Sequence, residues 1–460
     1  MKYRLQSPRC LALIATAALG CVPDTDATLD DEFMRDAEVI GIDALAPWPT
    51  IHHDLAATNA SPVCGPSSDL SATQPRTLDT GATIVTLHAG DLIYAQAMGG
   101  AGELLAYDAT TLSLAHSFPL GASYPNAGGG LLDDQGYSWW TADSKLVRLS
   151  HDLSEATWST AIPAGAYNGT TLLPDGNMLV TGMPLYSVIA TEPVDGELEV
   201  RHSASLGDLD FGGPNPTLDA GFGPRPLTDG LGHFFFVIDA AIFRVSYDPV
   251  SLELAGATQH SPDWIYEAPA GLSFGDSIGV LTDGRLCVHA APEPGVAGSQ
   301  VLCLDQQSGA LVGSATAFPQ STKLLSTWHN IAVAENGYVI AINDSFDGSG
   351  GAVAFAPWEL EDGEMATKWT VNLANIGHDP IVADLSGLLY LSSRKSLLAP
   401  YVVNAIDVDT GARSTIYQSR DIGGMPGKSL SFLGLAGALF MATPDGPIEL
   451  VDPSVPSLCP

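Results

Sequence analysis

The sequence predicts an all-β fold: a single β-propeller of four-stranded blades, eight by repeat count, with seven as the alternative. Three observations carry this. First, an apolar run, a Gly-containing turn and a second apolar run recur, as in "TLLPDGNMLVTG", "PLTDGLGHFFFVID", "IGVLTDGRLCVHA", "IAVAENGYVIAIN" and "IVADLSGLLYLSS". Second, a strand running into an Asp-led turn alternates with them, as "LLAYDATTLSL", "FRVSYDPVSLEL", "VLCLDQQSGALV" and "NAIDVDTGARST". Counting from "VTLHAGDLIYAQA", the pair repeats about eight times at roughly 40–55 residues, the period of propeller blades. Third, no helical periodicity of useful length interrupts residues 76–455.

Each part of the unit has a physical reason. Asp-Gly and Asn-Gly supply the positive φ of tight hairpins, and an Asp side chain can bond its own turn backbone. The first strand of each unit is crowded at the axis, which suits the small and β-branched residues of "IAVA", "IVAD" and "IGVL". Sheets covered on both faces need apolar residues on both, hence "HFFFVI" and "GYVIAI" without strict alternation. Trp139 and Trp140 read as blade core, with one ring expected to point outward toward a sugar or peptide.

The 460 residues carry 45% hydrophobic and 15% charged residues, with 48 Gly and 32 Pro, an ordered and turn-rich composition. Eighteen basic residues against 52 acidic ones leave a net charge of −34, which repels nucleic-acid phosphates and anionic headgroups. The expected state is a monomer that meets a membrane only through a lipid anchor.

Residues 1–21 read as an address. Lys2, Arg4 and Arg9 precede the apolar run "CLALIATAALG", which is too short to span a bilayer. The run ends in "ALGC", which resembles the lipobox of bacterial lipoproteins. That resemblance implies lipidation of Cys21, an exported protein, and a place at the outer membrane, periplasm or cell surface, with simple secretion as the alternative. Residues 22–75 read as an acidic tether and an irregular lead-in containing His52 and His53, and residues 76–460 as the propeller. Cys10 leaves with the signal. Cys287 and Cys303 lie symmetrically about Gly295 on two β-like runs and are expected to form a disulfide. Cys64 and Cys459 then pair by elimination, joining the ends of the folded region.

The units "VLCLDQQSGALV" and "VNAIDVDTGARS", alternating with Asp-Gly hairpins, resemble the quinoprotein-like repeat. That family includes quinone-dependent dehydrogenases and lipoproteins that only bind proteins. The adjacent cysteine pair of the dehydrogenases is absent here, as are a C-x-x-C-H haem site and the closing Trp in most repeats. The resemblance therefore implies the non-enzymatic lipoprotein branch, and a quinone-dependent oxidoreductase only as a lesser alternative.

Aligning repeats on the hairpin glycine brings out a polar position eight residues earlier, where the chain enters each first strand. Gly128, Asn168, Asp276, His329, Asp379 and Ser429 occupy it; Arg225 falls close by, and Asn330, His378 and Lys428 are adjacent to it. Equivalent positions in a propeller form one ring, so these residues are expected to bind ligand at the channel mouth. Asn168, Asp276, Asn330 and Asp379 are hard oxygen donors of the kind Ca²⁺ takes, and His329 or His378 is the candidate general base. "YNGTTLLPDGNMLV" and "WHNIAVAENG" are similar to stretches of the gluconolactonase and paraoxonase propellers, which implies a Ca-dependent lactonase or esterase as the alternative function. "NDSFDGSGG" has EF-hand-like spacing, but Ala354 stands where the closing Glu belongs. The leading expectation is a cell-envelope binding or assembly module whose partner is an envelope protein, small molecule or saccharide, with no nucleic acid.

Overall fold

The computed structural model describes residues 60–61, 63–72, 74–78, 83–97, 102–121, 130–142, 144–163, 167–182, 184–212, 226–238, 240–256, 260–281, 283–293, 296, 298–320, 331–343, 350–373, 381–383, 386–395, 399–419, 432–433, 437–441 and 448–455. All of them fall in the compact unit Phe33–Pro460. The described strands form seven sheets; in chain order their antiparallel runs span 83–119, 130–158, 167–205, 227–267, 272–318, 331–372, 381–418 and 432–451, with 272–318 and 331–372 joined into one eight-stranded sheet by the parallel pair Ser314↔Glu364. The described residues contain no α-helix, only a 3₁₀ turn at Leu206–Asp208.

First strands lie side by side around the ring except between the third and fourth sheets, which meet through Leu179, Tyr186, Phe234 and Phe236. Thr83–His88 neighbours Gly130–Leu132, which neighbours Tyr167–Leu172; Leu227–Thr228 neighbours Leu272–Val280. From there contact passes through Ile331–Val333, Ile381–Ala383 and Phe432–Leu433 and returns to Thr83–His88. A circle of sheets, each with its first strand innermost, is a β-propeller.

The cores lie between sheets. Trp140, Tyr94 and Leu104 fill the space between the first and second sheets, and Trp139, Val180 and Met178 that between the second and third. Trp139 and Trp140 are both buried, at 1% and 0% exposure, so the expected outward ring does not exist. Neighbouring residues of a strand do face opposite ways, but here both ways lead into a core. Phe234 and Phe236 likewise face the third sheet while Phe235 faces the fifth. Complete burial of one such ring contributes about 1.5–3 kcal/mol, which favours apolar runs over alternation.

Turn chemistry follows the sequence. Gly136, Gly176, Gly284, Gly337, Gly387 and Gly437, the alignment anchors, all take positive φ between 60° and 84°. Asp108, Asp305 and Asp407 each accept the backbone N–H three residues on, at 2.7–2.8 Å. Cys287 and Cys303 are paired in register on neighbouring strands and form the expected disulfide. Cys64 is also disulfide-bonded; its expected partner, Cys459, lies outside the described residues.

Two features were absent from the sequence reading. Trp264 and Trp369 each lie across a turn glycine of the following sheet, where a Cβ at Gly309 or Gly411 would meet the indole at 2.5 or 2.7 Å. Their Nε1 atoms donate to Gln306 O at 3.0 Å and Val408 O at 2.6 Å, stapling neighbouring sheets. The residues ahead of the first sheet, moreover, close the ring. Arg76–Thr77 pairs antiparallel with Ile448–Val451 as the outermost strand of the last sheet. Ahead of it, Ala60–Ser61 pairs parallel with Ile381–Ala383, on the inner edge of a first strand. Between these points Tyr390 Oη donates to Pro66 O, and Asp452 accepts the N–H groups of Ser67 and Ser68. Burial pushes the Asp452 carboxyl up, but the bonds from Ser454 and Ser68 outweigh it, so the group sits well below its ordinary range.

Candidate ligand site at the channel mouth

The mouth is the end of the ring at which first strands begin and second strands finish. Asn168 lies in Tyr167–Leu172 where the register slips, between the pairs Tyr167↔Gly182 and Gly169↔Thr181. Asp276 lies in Leu272–Val280 within a larger slip, between Phe274↔Ala290 and Ile278↔Val288. Bulges of this kind are common at barrel and propeller rims and re-aim the strand locally. Two of the aligned polar positions thus each fall within a register slip of their first strand, with one extra residue at Asn168 and two at Asp276. Arg225, His329, Asn330, His378, Asp379 and Lys428 lie outside the described residues, as do Gly128 and Ser429 and, for the EF-hand-like stretch, residues 344–349.

The structure adds a second tier that the alignment missed. At the mouth end of the second strands stand Gln96, Thr141, Thr181, His289, Asn343 and Ser392, each no more than 3% exposed. Register sets them against the predicted ring. Thr181 pairs Gly169, beside Asn168, and His289 lies across from the slipped segment that holds Asp276. Ala341 pairs Ile331 and Tyr390 pairs Ile381, so Asn343 and Ser392 lie two residues beyond the last pair with the first strand on their own strands. The signal was present in "YAQA", "WWTA", "LVTG", "CVHA", "AIND" and "YLSS", a polar residue five or six positions after each hairpin glycine.

The partners of this tier differ. His289 Nε2 lies 2.8 Å from Ser299 Oγ, and its ring packs 5.8 Å from that of Phe318. Among the described residues, both polar atoms of Gln96 and the Thr141 hydroxyl have no hydrogen-bond partner. A buried amide or hydroxyl left so costs about 1–3 kcal/mol, which marks these positions as places for water or a ligand's polar groups. Among the described residues no three His, Cys, Asp or Glu side chains converge as a metal site.

The far end of the ring is built for rigidity. His88 is buried and accepts the Gly90 N–H at Nδ1, 3.0 Å away; burial pushes it down to about 4, so it is neutral at physiological pH. Asp133 accepts Trp139 Nε1 at 2.7 Å and the N–H groups of Gln135 and Tyr137, while burial raises its carboxyl. The Asp133 carboxylate and the His88 imidazole are spent on turns.

No protein-family model matches the chain, and no curated protein matches it in sequence. Solved structures do match in fold. The quinohemoprotein alcohol dehydrogenase from Comamonas testosteroni is 12% identical, with a TM-score of 0.54 over 88% of this chain and 77% of its own. The quinohemoprotein alcohol dehydrogenase ADHIIG from Pseudomonas putida is also 12% identical, with a TM-score of 0.55 over 86% of this chain and 76% of its own. A putative 6-phosphogluconolactonase from Bacteroides fragilis is 13% identical and covers 75% of this chain and 96% of its own, but its TM-score of 0.44 carries no argument. The two dehydrogenase likenesses support the β-propeller fold, and the fold alone.

Proposed function

We propose that this is an exported eight-bladed β-propeller, anchored through an acylated Cys21 at the bacterial outer membrane or cell surface, that binds an envelope protein or small ligand at its mouth. The observation that carries the reading is the buried Cys287–Cys303 disulfide. Such bonds persist in oxidising compartments, and the N-terminal address points the same way. The eighth blade is the one that takes Arg76–Thr77 as its outer strand. Metabolic labelling with a radioactive fatty acid tests the anchor: the label enters the wild-type chain and is lost in Cys21→Ser. An unlabelled, freely secreted wild-type chain overturns it.

A Ca-dependent hydrolase of lactonase or esterase type is the second reading, favoured by the shared register slips at Asn168 and Asp276. In it Asn168, Asp276, Asn330 and Asp379 hold the ion, and His329 or His378 takes the proton. It requires calcium in the purified protein, and Asp276→Asn must lose both that calcium and lactone turnover. A visible quinone absorbance would favour an oxidoreductase instead.

A further inference from the structure

One hairpin breaks the repeat. Gly351–Glu361 and Glu364–Asn372 run eleven and nine residues, and their joining turn is Asp362-Gly363 in place of an Asp-led turn of the Asp305 kind. Their register slips between Ala356↔Ala366 and Leu360↔Met365, with Pro357 in the extra segment, so the tip departs from the plane of its sheet. It is held from both sides. Trp358 lies flat against Tyr338, with centroids 5.5 Å apart at 19°, while Leu360 lies over Gly313, where a Cβ would approach its Cδ2 to 2.9 Å. Ser314 N–H donates to Gly363 O at 3.0 Å, and Lys368 pairs with Glu359 at 2.5 Å. An insertion in one repeat commonly marks a binding face, and one already held rigid has little ordering cost left to meet.

The tip carries a groove. Leu360, Met365 and Ala366 line it together with the carboxylates of Glu359, Glu361, Asp362 and Glu364, of which Glu359 is the one paired with Lys368. Leu360 is 44% exposed, and Leu311, two residues before Gly313 on the neighbouring strand, is 47% exposed. Glu361, Asp362 and Glu364 have no ion-pair partner among the described residues, and uncovered apolar surface beside such carboxylates selects a segment that is both cationic and apolar. We propose that this groove docks a basic segment of a partner protein, an aliphatic side chain entering over Leu360 while Lys or Arg meets these carboxylates. The proposal deepens the reading of the chain as a binding module by naming the kind of partner.

The test uses purified full-length protein and a short fluorescent peptide of alternating Lys and Leu, with the Glu–Leu peptide as its counterpart. The Lys–Leu peptide binds and the Glu–Leu peptide does not. Glu361→Lys with Glu364→Lys weakens binding about tenfold or more, and Leu360→Ser weakens it by a similar factor. Glu192→Lys with Glu197→Lys, the same charge change on another exposed turn, shifts it by less than about twofold. Equal losses from both charge-reversed pairs mean attraction to net charge alone and overturn the groove, as does an unaffected Leu360→Ser. A failed titration beside an acylated Cys21 overturns the groove and leaves the anchored module standing.

Discussion

Arg76→Ala probes the seam of the ring. Glu449 is 4% exposed, and its Oε2 receives Arg76 Nε at 2.5 Å; Arg76 also reaches Thr110 O at 2.6 Å. Removing one partner of a buried ion pair costs about 3–5 kcal/mol, but Arg76 is itself 46% exposed, and screening brings the expected loss to about 2 kcal/mol. For a chain of this size that lowers Tm by about 2–4 °C. The pH dependence is the sharper readout. Burial raises the Glu449 carboxyl and Arg76 opposes it, so removing Arg76 raises it further. A carboxyl with a folded pKa above its unfolded one binds more protons when folded, so stability falls as pH rises through that window. The deficit of Arg76→Ala, followed by calorimetry, is therefore larger at neutral pH than in mild acid. A deficit that is flat with pH, or larger in acid, would refute the assignment of Glu449 as a buried carboxylate at the seam.

Gly411→Ala drives a Cβ toward the Trp369 indole at positive φ and should cost about 2 kcal/mol in urea unfolding, whereas Gly363→Ala, with open space at its Cβ, should cost less. Reduction of Cys287–Cys303, which spans 16 residues, should lower stability by about 3 kcal/mol, and thiol titration of the unreduced chain should find neither sulfur. Gln96→Leu removes a buried amide that no protein group satisfies and should leave unfolding unchanged or raise it by about 1 kcal/mol; a loss of more than that would show a bound water or ligand supporting the wild type.

The fold was readable because propellers repeat their chemistry. Positive-φ glycines at every anchor hairpin, Asp108, Asp305 and Asp407 capping their turns, and Cys287 facing Cys303 each follow from local residue types. What escaped was non-local. Arg76–Thr77 is two residues long and gains strand character only from Ile448–Val451, far along the chain. Trp264 and Trp369 look like ordinary core until their distant glycines are placed beneath them. Trp139 and Trp140 were misjudged because alternation implies a wet face that a blade packed on both sides does not have. At the site, Asn168 and Asp276 each fall where their first strand slips register, while the Gln96-to-Ser392 tier is hard to see in the sequence because its residues differ in type and share only a place in the register.

The account stands or falls on where the chain matures and in what redox state. Mass spectrometry of the protein released from a membrane fraction of its native host reads both at once. The account predicts an N-terminal peptide beginning at Cys21 and carrying a lipid mass, with Cys287 and Cys303 recovered as one linked peptide pair. A chain that retains residues 1–20, or carries free thiols at Cys287 and Cys303, would contradict it.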